Sequence, residues 1–184
     1  CLFREIFSKR SNSWKCKRLM NSTIKFAKKT LINNRRSNYT LPTNTKLYPA
    51  QWNWDSAFIA LGYSNFNLDY SFKELETLIS GQWDDGMIPH ILFHIKDLNY
   101  TPNYKAWNCG KKVSSSGITQ PPILASILRI IIERQKFSKK EIKKYQPLIL
   151  KIKKCLEWFI RYRDPNHTGL ISILHPWESG YDNS

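Results

Sequence analysis

Four stretches of the chain, residues 48–58, 82–94, 114–122 and 174–184, gather between them carboxylates, aromatic rings and neutral hydrogen-bonding groups. The carboxylates are Asp55, Asp84, Asp85, Glu178 and Asp182. The aromatics are Tyr48, Trp52, Trp54, Trp83 and Trp177, and Gln120 and His90 add neutral polar groups. Such a set suits hydrolysis of a glycoside. One carboxyl protonates the leaving oxygen and a second activates water or attacks, while flat aromatic faces hold a sugar ring.

Each group also has a plain structural reading. Asp84-Asp85-Gly86 is a turn signal, and Asp55 suits the N-terminus of a helix. His90 and His94 stand four apart, but Pro89 argues against the helix that would align them, and no H-E-x-x-H pattern is present. Glu178 and Asp182 are also four apart, with Gly180 breaking the helix between them. Residue chemistry alone leaves open which of those two is the acid.

These stretches need a scaffold, and the remaining sequence reads as helices. An apolar stripe at Ile24, Phe26, Ala27 and Leu31 predicts a helix with Ser22 or Thr23 as its N-cap, ending at residues 33–36. Residues 39–42 read as an extended linker. Helices are predicted near residues 54–62, over 68–80 with a stop at Gly81, and from Pro121 or Pro122 to about Gln135. A further helical segment, capped by Ser138, spans 139–163 and is kinked or divided at Pro147. Residues 82–119 read as a long irregular stretch of the kind that tends to carry function. Paired helices with long loops and little strand stack into larger closed arrays.

Composition narrows the field. The chain has 184 residues, 41% hydrophobic and 23% charged, which suits a globular domain with a real core. The net charge of +15 is unevenly spread: residues 1–46 hold 12 Lys/Arg against Glu5 alone, so the basic character belongs to the leader. Residues 1–20 show no clear periodicity and are expected to be disordered, followed by one domain over 21–184. A basic arm can attract nucleic acid, but nucleic acid is not the expected partner. No apolar run is long enough for a membrane span, no signal-peptide core is visible, and a membrane is not expected as a partner. The cysteines at 1, 16, 109 and 155 form no C-x-x-C or zinc pattern. They read as free thiols in a reducing, cytoplasmic compartment. The chain starts at Cys1 and stops directly after the 174–184 loop, so it is expected to be part of a longer protein.

Four motifs in fixed order carry a resemblance. They are Tyr48-Pro49-Ala50-Gln51-Trp52-Asn53-Trp54-Asp55-Ser56-Ala57-Phe58, Gln82-Trp83-Asp84-Asp85-Gly86-Met87-Ile88-Pro89-His90, Ser116-Gly117-Ile118-Thr119-Gln120-Pro121-Pro122, and His175-Pro176-Trp177-Glu178-Ser179-Gly180-Tyr181-Asp182-Asn183-Ser184. Together they resemble glycoside hydrolase family 63, nearest to its glucosylglycerate and mannosylglycerate hydrolases, from about Ile24 to the end. The resemblance implies an all-α fold, an (α/α)6 barrel of which this chain holds an incomplete N-terminal part. It implies an inverting mechanism with Asp182 as general acid. Tyr48, Trp52, Asp55, His90, Tyr100, Gln120, Trp177 and Gly180 would bind substrate. No metal and no cofactor is implied. The expected partners are a small α-glycoside and the missing C-terminal half, which would supply a Glu as general base. Without it, this segment is expected to be inactive. Oligosaccharide glucosidases, trehalase-like enzymes and a non-catalytic remnant are the alternatives.

Overall fold

A computed structural model describes residues 12–43, 47–96 and 99–181, with side chains from Leu19 onward. The chain divides into two compact units after Asn33. The first unit contains nearly all of helix α1, Asn12–Asn34. This helix begins ten residues before the expected Ser22, inside the stretch expected to be a disordered leader, and it crosses the domain boundary drawn at residue 20. Ser22 and Thr23 do not cap it. Their hydroxyls donate back to the Leu19 carbonyl at 2.8 and 3.0 Å, the bond such residues make inside a helix.

The second unit is helical apart from one short pair of strands. Its elements are β1 Gln51–Trp52, α2 Asn53–Tyr63, α3 Leu68–Ser80, β2 Ile91–Leu92, α4 Tyr104–Trp107, α5 Leu124–Gln135, α6 Lys139–Lys144, α7 Gln146–Arg163 and a 3-10 turn at Pro176–Ser179. Strands β1 and β2 pair antiparallel, Gln51 with Leu92 and Trp52 with Ile91. Residues 39–41 are not a free linker. Tyr39, Thr40 and Leu41 are buried, and an isolated bridge joins Arg35 to Thr40.

The helix bounds follow local chemistry. Asn67 caps α3 by accepting from Tyr70 N–H, and Gly81 ends it. Ser138 and Glu141 form a reciprocal capping box on α6. Pro147 does not kink one long helix. It sits in the first turn of α7, where its missing N–H costs nothing, so the segment is two helices meeting at Tyr145. The helix expected from Pro121 or Pro122 begins instead at Leu124, one residue after Ile123.

The main core gathers the inner faces of four helices. Ala57 and Ala60 come from α2, Phe72, Leu75, Leu78 and Ile79 from α3, Leu124, Ile127, Leu128 and Ile131 from α5, and Leu148, Ile152, Cys155, Trp158 and Phe159 from α7. At one edge Phe72, Tyr145 and Phe137 stack, with Phe72 and Tyr145 centroids 3.7 Å apart. A second, smaller cluster of Ala50, Trp52, Ile91 and Phe93 lies under the strand pair. No described helix is long and apolar enough to cross a membrane.

Candidate active site

The four motif stretches are stitched together by backbone and buried side chains. The first meets the second through the strand pair and through Asn53 N–H, which donates to the His90 carbonyl at 3.0 Å. The second meets the third where His90 N–H donates to Ile118 O at 2.7 Å. Thr119 Oγ1 and Asn53 Nδ2 both donate to Ile88 O, at 2.7 and 3.2 Å. The third returns to the first: Trp54 N–H donates to Gln120 Oε1 at 3.1 Å. Helix α2 has no side-chain bond from its own N-cap residue, Trp52. Its first two N–H groups are satisfied instead by His90 and Gln120, which lie far away in sequence.

The fourth stretch is pinned by Glu178. Its Oε1 accepts from Arg163 Nη2 at 2.5 Å and from Thr119 N–H at 3.4 Å. Its Oε2 accepts from Leu174 N–H at 2.8 Å. Gly180 closes the 3-10 turn at φ +79°, and a Cβ there would lie 2.8 Å from the Trp54 indole. Only glycine meets both conditions without strain. Asp182, the expected general acid, lies outside the described residues.

A cleft of about 210 Å³ opens between the first, second and fourth stretches, lined by Leu47, Tyr48, Trp52, His90, Tyr100, Thr101 and Trp177. Five of the expected substrate residues, Tyr48, Trp52, His90, Tyr100 and Trp177, therefore share one wall. Trp52 is the hub. The rings of Tyr48, Tyr100 and His90 stand edge-on to it at centroid distances of 4.9, 5.6 and 6.3 Å. Trp177 reaches His90 at 6.0 Å. Asp55 lies in the first turn of α2, half-buried, beside Trp54. Gln120 and Gly180 are not in the lining; both abut Trp54.

His90 is 3% exposed. Burial, with a smaller push from His175, pulls its imidazole down to about 3, so the ring is neutral at physiological pH. Its Nδ1 is buried without a partner among the described residues. Gln120 has spent its oxygen on Trp54, and its amide nitrogen makes no hydrogen bond among the described residues. Neutral His90 thus brings unused hydrogen-bonding capacity to the aromatic cleft, and Gln120 keeps its amide nitrogen unused beside Trp54.

Asp84 and Asp85 stay out of it. They form the turn the sequence suggests: Asp85 accepts from Met87 N–H and from Trp158 Nε1, and Asp84 pairs with Lys111 in solvent. His94 is bonded to Gln51 rather than paired with His90. No group of three His, Cys, Asp or Glu suited to a metal occurs among the described residues. Sequence reasoning missed Arg163, Asn53 and Glu74. Their partners lie 15, 35 and 18 or more residues away; Asn53 stands within the first motif without being singled out, and no local motif marks Arg163 or Glu74.

Residues 48–184 match the family model described as the mannosylglycerate hydrolase MGH1-like glycoside hydrolase domain. The chain belongs to this family. Mannosylglycerate hydrolase MGH2 of Selaginella moellendorffii is 41% identical over 162 residues, which is 88% of this chain and 33% of that protein. Glucosylglycerate hydrolase of Mycolicibacterium hassiacum is 35% identical over 75% of the chain and 34% of its own length. Among solved structures, the family 63 mannosylglycerate hydrolase of Thermus thermophilus in complex with Tris and D-glycerate superposes with a TM-score of 0.78 at 42% identity. It covers 86% of this chain and 38% of that one. The all-α fold is that of these family 63 helical barrels. The chain spans about a third of the length of the relatives it matches.

Proposed function

We propose that the intact protein is an inverting hydrolase of a small glycosylglycerate, with mannosylglycerate and glucosylglycerate as the substrate class. Asp182 is the general acid that protonates the glycosidic oxygen, and the general base is a carboxylate outside these 184 residues. An inverting pair stands roughly 6.5–9.5 Å apart, which leaves room for the attacking water.

The observation that carries this reading is the convergence of Trp52, His90 and Trp177 on one cleft from three separate stretches. Trp52 and Trp177 pack against the sugar ring. Neutral His90 bonds a hydroxyl without imposing charge, Gln120 donates from its amide nitrogen, and Asp55 accepts from another hydroxyl. Glu178 is already committed to Arg163 and two backbone amides, which supports Asp182 over Glu178 as the acid. The names of the relatives support glycerate as the aglycone.

The test is Asp182→Asn in the intact protein, assayed with mannosylglycerate, glucosylglycerate, trehalose and kojibiose, following the product anomer by NMR. Wild type is expected to cleave a glycosylglycerate fastest, with inversion. The variant is expected to lose on the order of 10²–10⁴-fold in kcat. Activity within a few-fold of wild type would remove Asp182 from the acid role. Preference for trehalose or kojibiose would replace the glycerate aglycone with a second sugar.

A further inference from the structure

Glu74, in the middle of α3, is fully buried and has no part in the reaction above. Its Oε1 accepts from Ser56 Oγ at 2.7 Å and from Gln51 Nε2 at 2.9 Å. Its Oε2 is buried with no hydrogen-bond partner among the described residues. Gln51 also donates to the Glu74 backbone carbonyl at 3.2 Å, and its own Oε1 lies 2.8 Å from His94 Nε2. An amide oxygen only accepts, so His94 carries its proton on Nε2. The His94 ring in turn rests against Tyr39 at a centroid distance of 4.3 Å.

The two side chains that Glu74 holds have telling positions. Gln51 immediately precedes Trp52, and Ser56 immediately follows Asp55. One carboxyl therefore grips both ends of the short corner where β1 turns into α2. A site that needed only filling would be served by Leu or Met, without the cost of burying a carboxyl.

We propose that Glu74 is a positioning residue of the active site, acting through Gln51 and Ser56 to set where Trp52 and Asp55 stand. The proposal rests on the reading of those two residues as sugar-binding.

The surroundings make this corner sensitive to charge. Burial raises the Glu74 carboxyl to about 7, against the opposing pull of the Ser56 and Gln51 hydrogen bonds, of the nearby Thr40 hydroxyl and of the Arg35 charge. The other ionisable groups around it are Arg35, Tyr39, Tyr63 and, through Gln51, His94. Arg35 lies over the Tyr70 ring at 3.8 Å. Burial pushes both tyrosines up and His94 down. Glu74 is thus the group of this cluster that changes charge near neutrality. Glutamine reproduces its neutral form: an oxygen to accept both bonds, and an NH₂ in place of the OH.

The experiment uses the intact protein labelled with 5-fluorotryptophan, the Trp52 resonance being assigned with Trp52→Phe. Wild type, Glu74→Gln and Glu74→Ala are compared in kcat/KM on mannosylglycerate and glucosylglycerate and in ¹⁹F shift against pH. Glu74→Ala is expected to displace the Trp52 resonance and to lower kcat/KM by about 10- to 100-fold, the scale of small misplacements in an active site. Glu74→Gln is expected to recover most of that loss. The wild-type Trp52 resonance should titrate with a midpoint near 7, and that of Glu74→Gln should not. Should Glu74→Ala fail to fold, Ser56→Ala takes its place, with a displaced Trp52 resonance expected. A Trp52 resonance unmoved in the alanine variant, or titrating unchanged in Glu74→Gln, overturns the proposal. Expected shifts in a wild type that cleaves no glycosylglycerate would sink the functional reading and leave the positioning role standing. An active wild type with an unimpaired alanine variant would do the reverse.

Discussion

Arg163, in the last turn of α7, and Glu178, in the 3-10 turn, form a buried ion pair that ties the fourth motif stretch to the helical scaffold, with Nη2 and Oε1 2.5 Å apart. The Arg163 guanidinium also lies over the Trp158 ring, 4.7 Å from its centroid. The turn that presents Trp177 and leads to Asp182 is therefore held by electrostatics in a site almost closed to water.

Removing one partner leaves an uncompensated buried charge. Glu178→Ala and Arg163→Ala are each expected to destabilise by about 3–5 kcal/mol. Replacing both with apolar groups of matching volume, Arg163→Met with Glu178→Leu, is expected to restore much of that loss. Urea denaturation of the four proteins measures it. The double variant should still misplace the turn, because the Leu174 and Thr119 amides lose their acceptor, so stability and activity should part company.

Gly180→Ala tests the other end of the same turn. The new methyl meets Trp54 at 2.8 Å and the backbone is at φ +79°, so a loss of about 1–3 kcal/mol is expected. KM for the glycosylglycerate should rise, because Trp54 and Trp177 move relative to one another. Wild-type stability and KM would show that the turn tolerates a left-handed alanine.

Two buried groups give opposite pH dependences. Glu74 has its folded value raised from 4.5 to about 7, so its contribution is fully present below about pH 4.5 and lost as pH rises through 7. That loss is of order 3 kcal/mol. His90 has its folded value depressed from 6.5 to about 3, so its contribution is present above about pH 6.5 and lost as pH falls toward 3. Relative to Glu74→Gln, wild type should lose stability as pH rises from about 4.5 to 8. The His90 ring signals in NMR should not titrate between about pH 4 and 8.

Cys155 and Cys109 should differ in reactivity. Burial pushes the Cys155 thiol up to about 11, whereas Cys109 is only half-buried. The thiolate is the reactive form, so iodoacetamide followed by peptide mass spectrometry should label Cys109 in the native protein and Cys155 only after unfolding. Equal labelling would mean that α7 opens far more readily than its packing suggests.

Local signals made much of the scaffold legible. The Leu68–Ser80 helix carries its apolar spacing within thirteen residues and its Gly81 stop directly after them, and the Ser138 cap and the Pro147 division are equally local. The cleft aromatics were legible because their motifs are dense and ordered. What stayed hidden depends on partners distant in sequence. Glu74 looks like any helix-surface acid until Ser56 and Gln51 close on it. Tyr39–Leu41 read as a linker because no nearby residue signals their burial. Helix α1 runs further than its stripe because Lys- and Ser-containing turns are compatible with helical propensity. Glu178 and Asp182 could not be told apart by residue type, since what sets Glu178 apart is the guanidinium arriving from α7.

The start of α2 carries a consequence for biosynthesis. Its first two amides are satisfied by His90 and Gln120, so the corner bearing Asp55 cannot reach its final form while a ribosome is still adding residues between 55 and 120. Loop-closure entropy must be met before such distant contacts give anything back. The nascent chain therefore carries an unfinished corner at the start of α2 through that interval of translation.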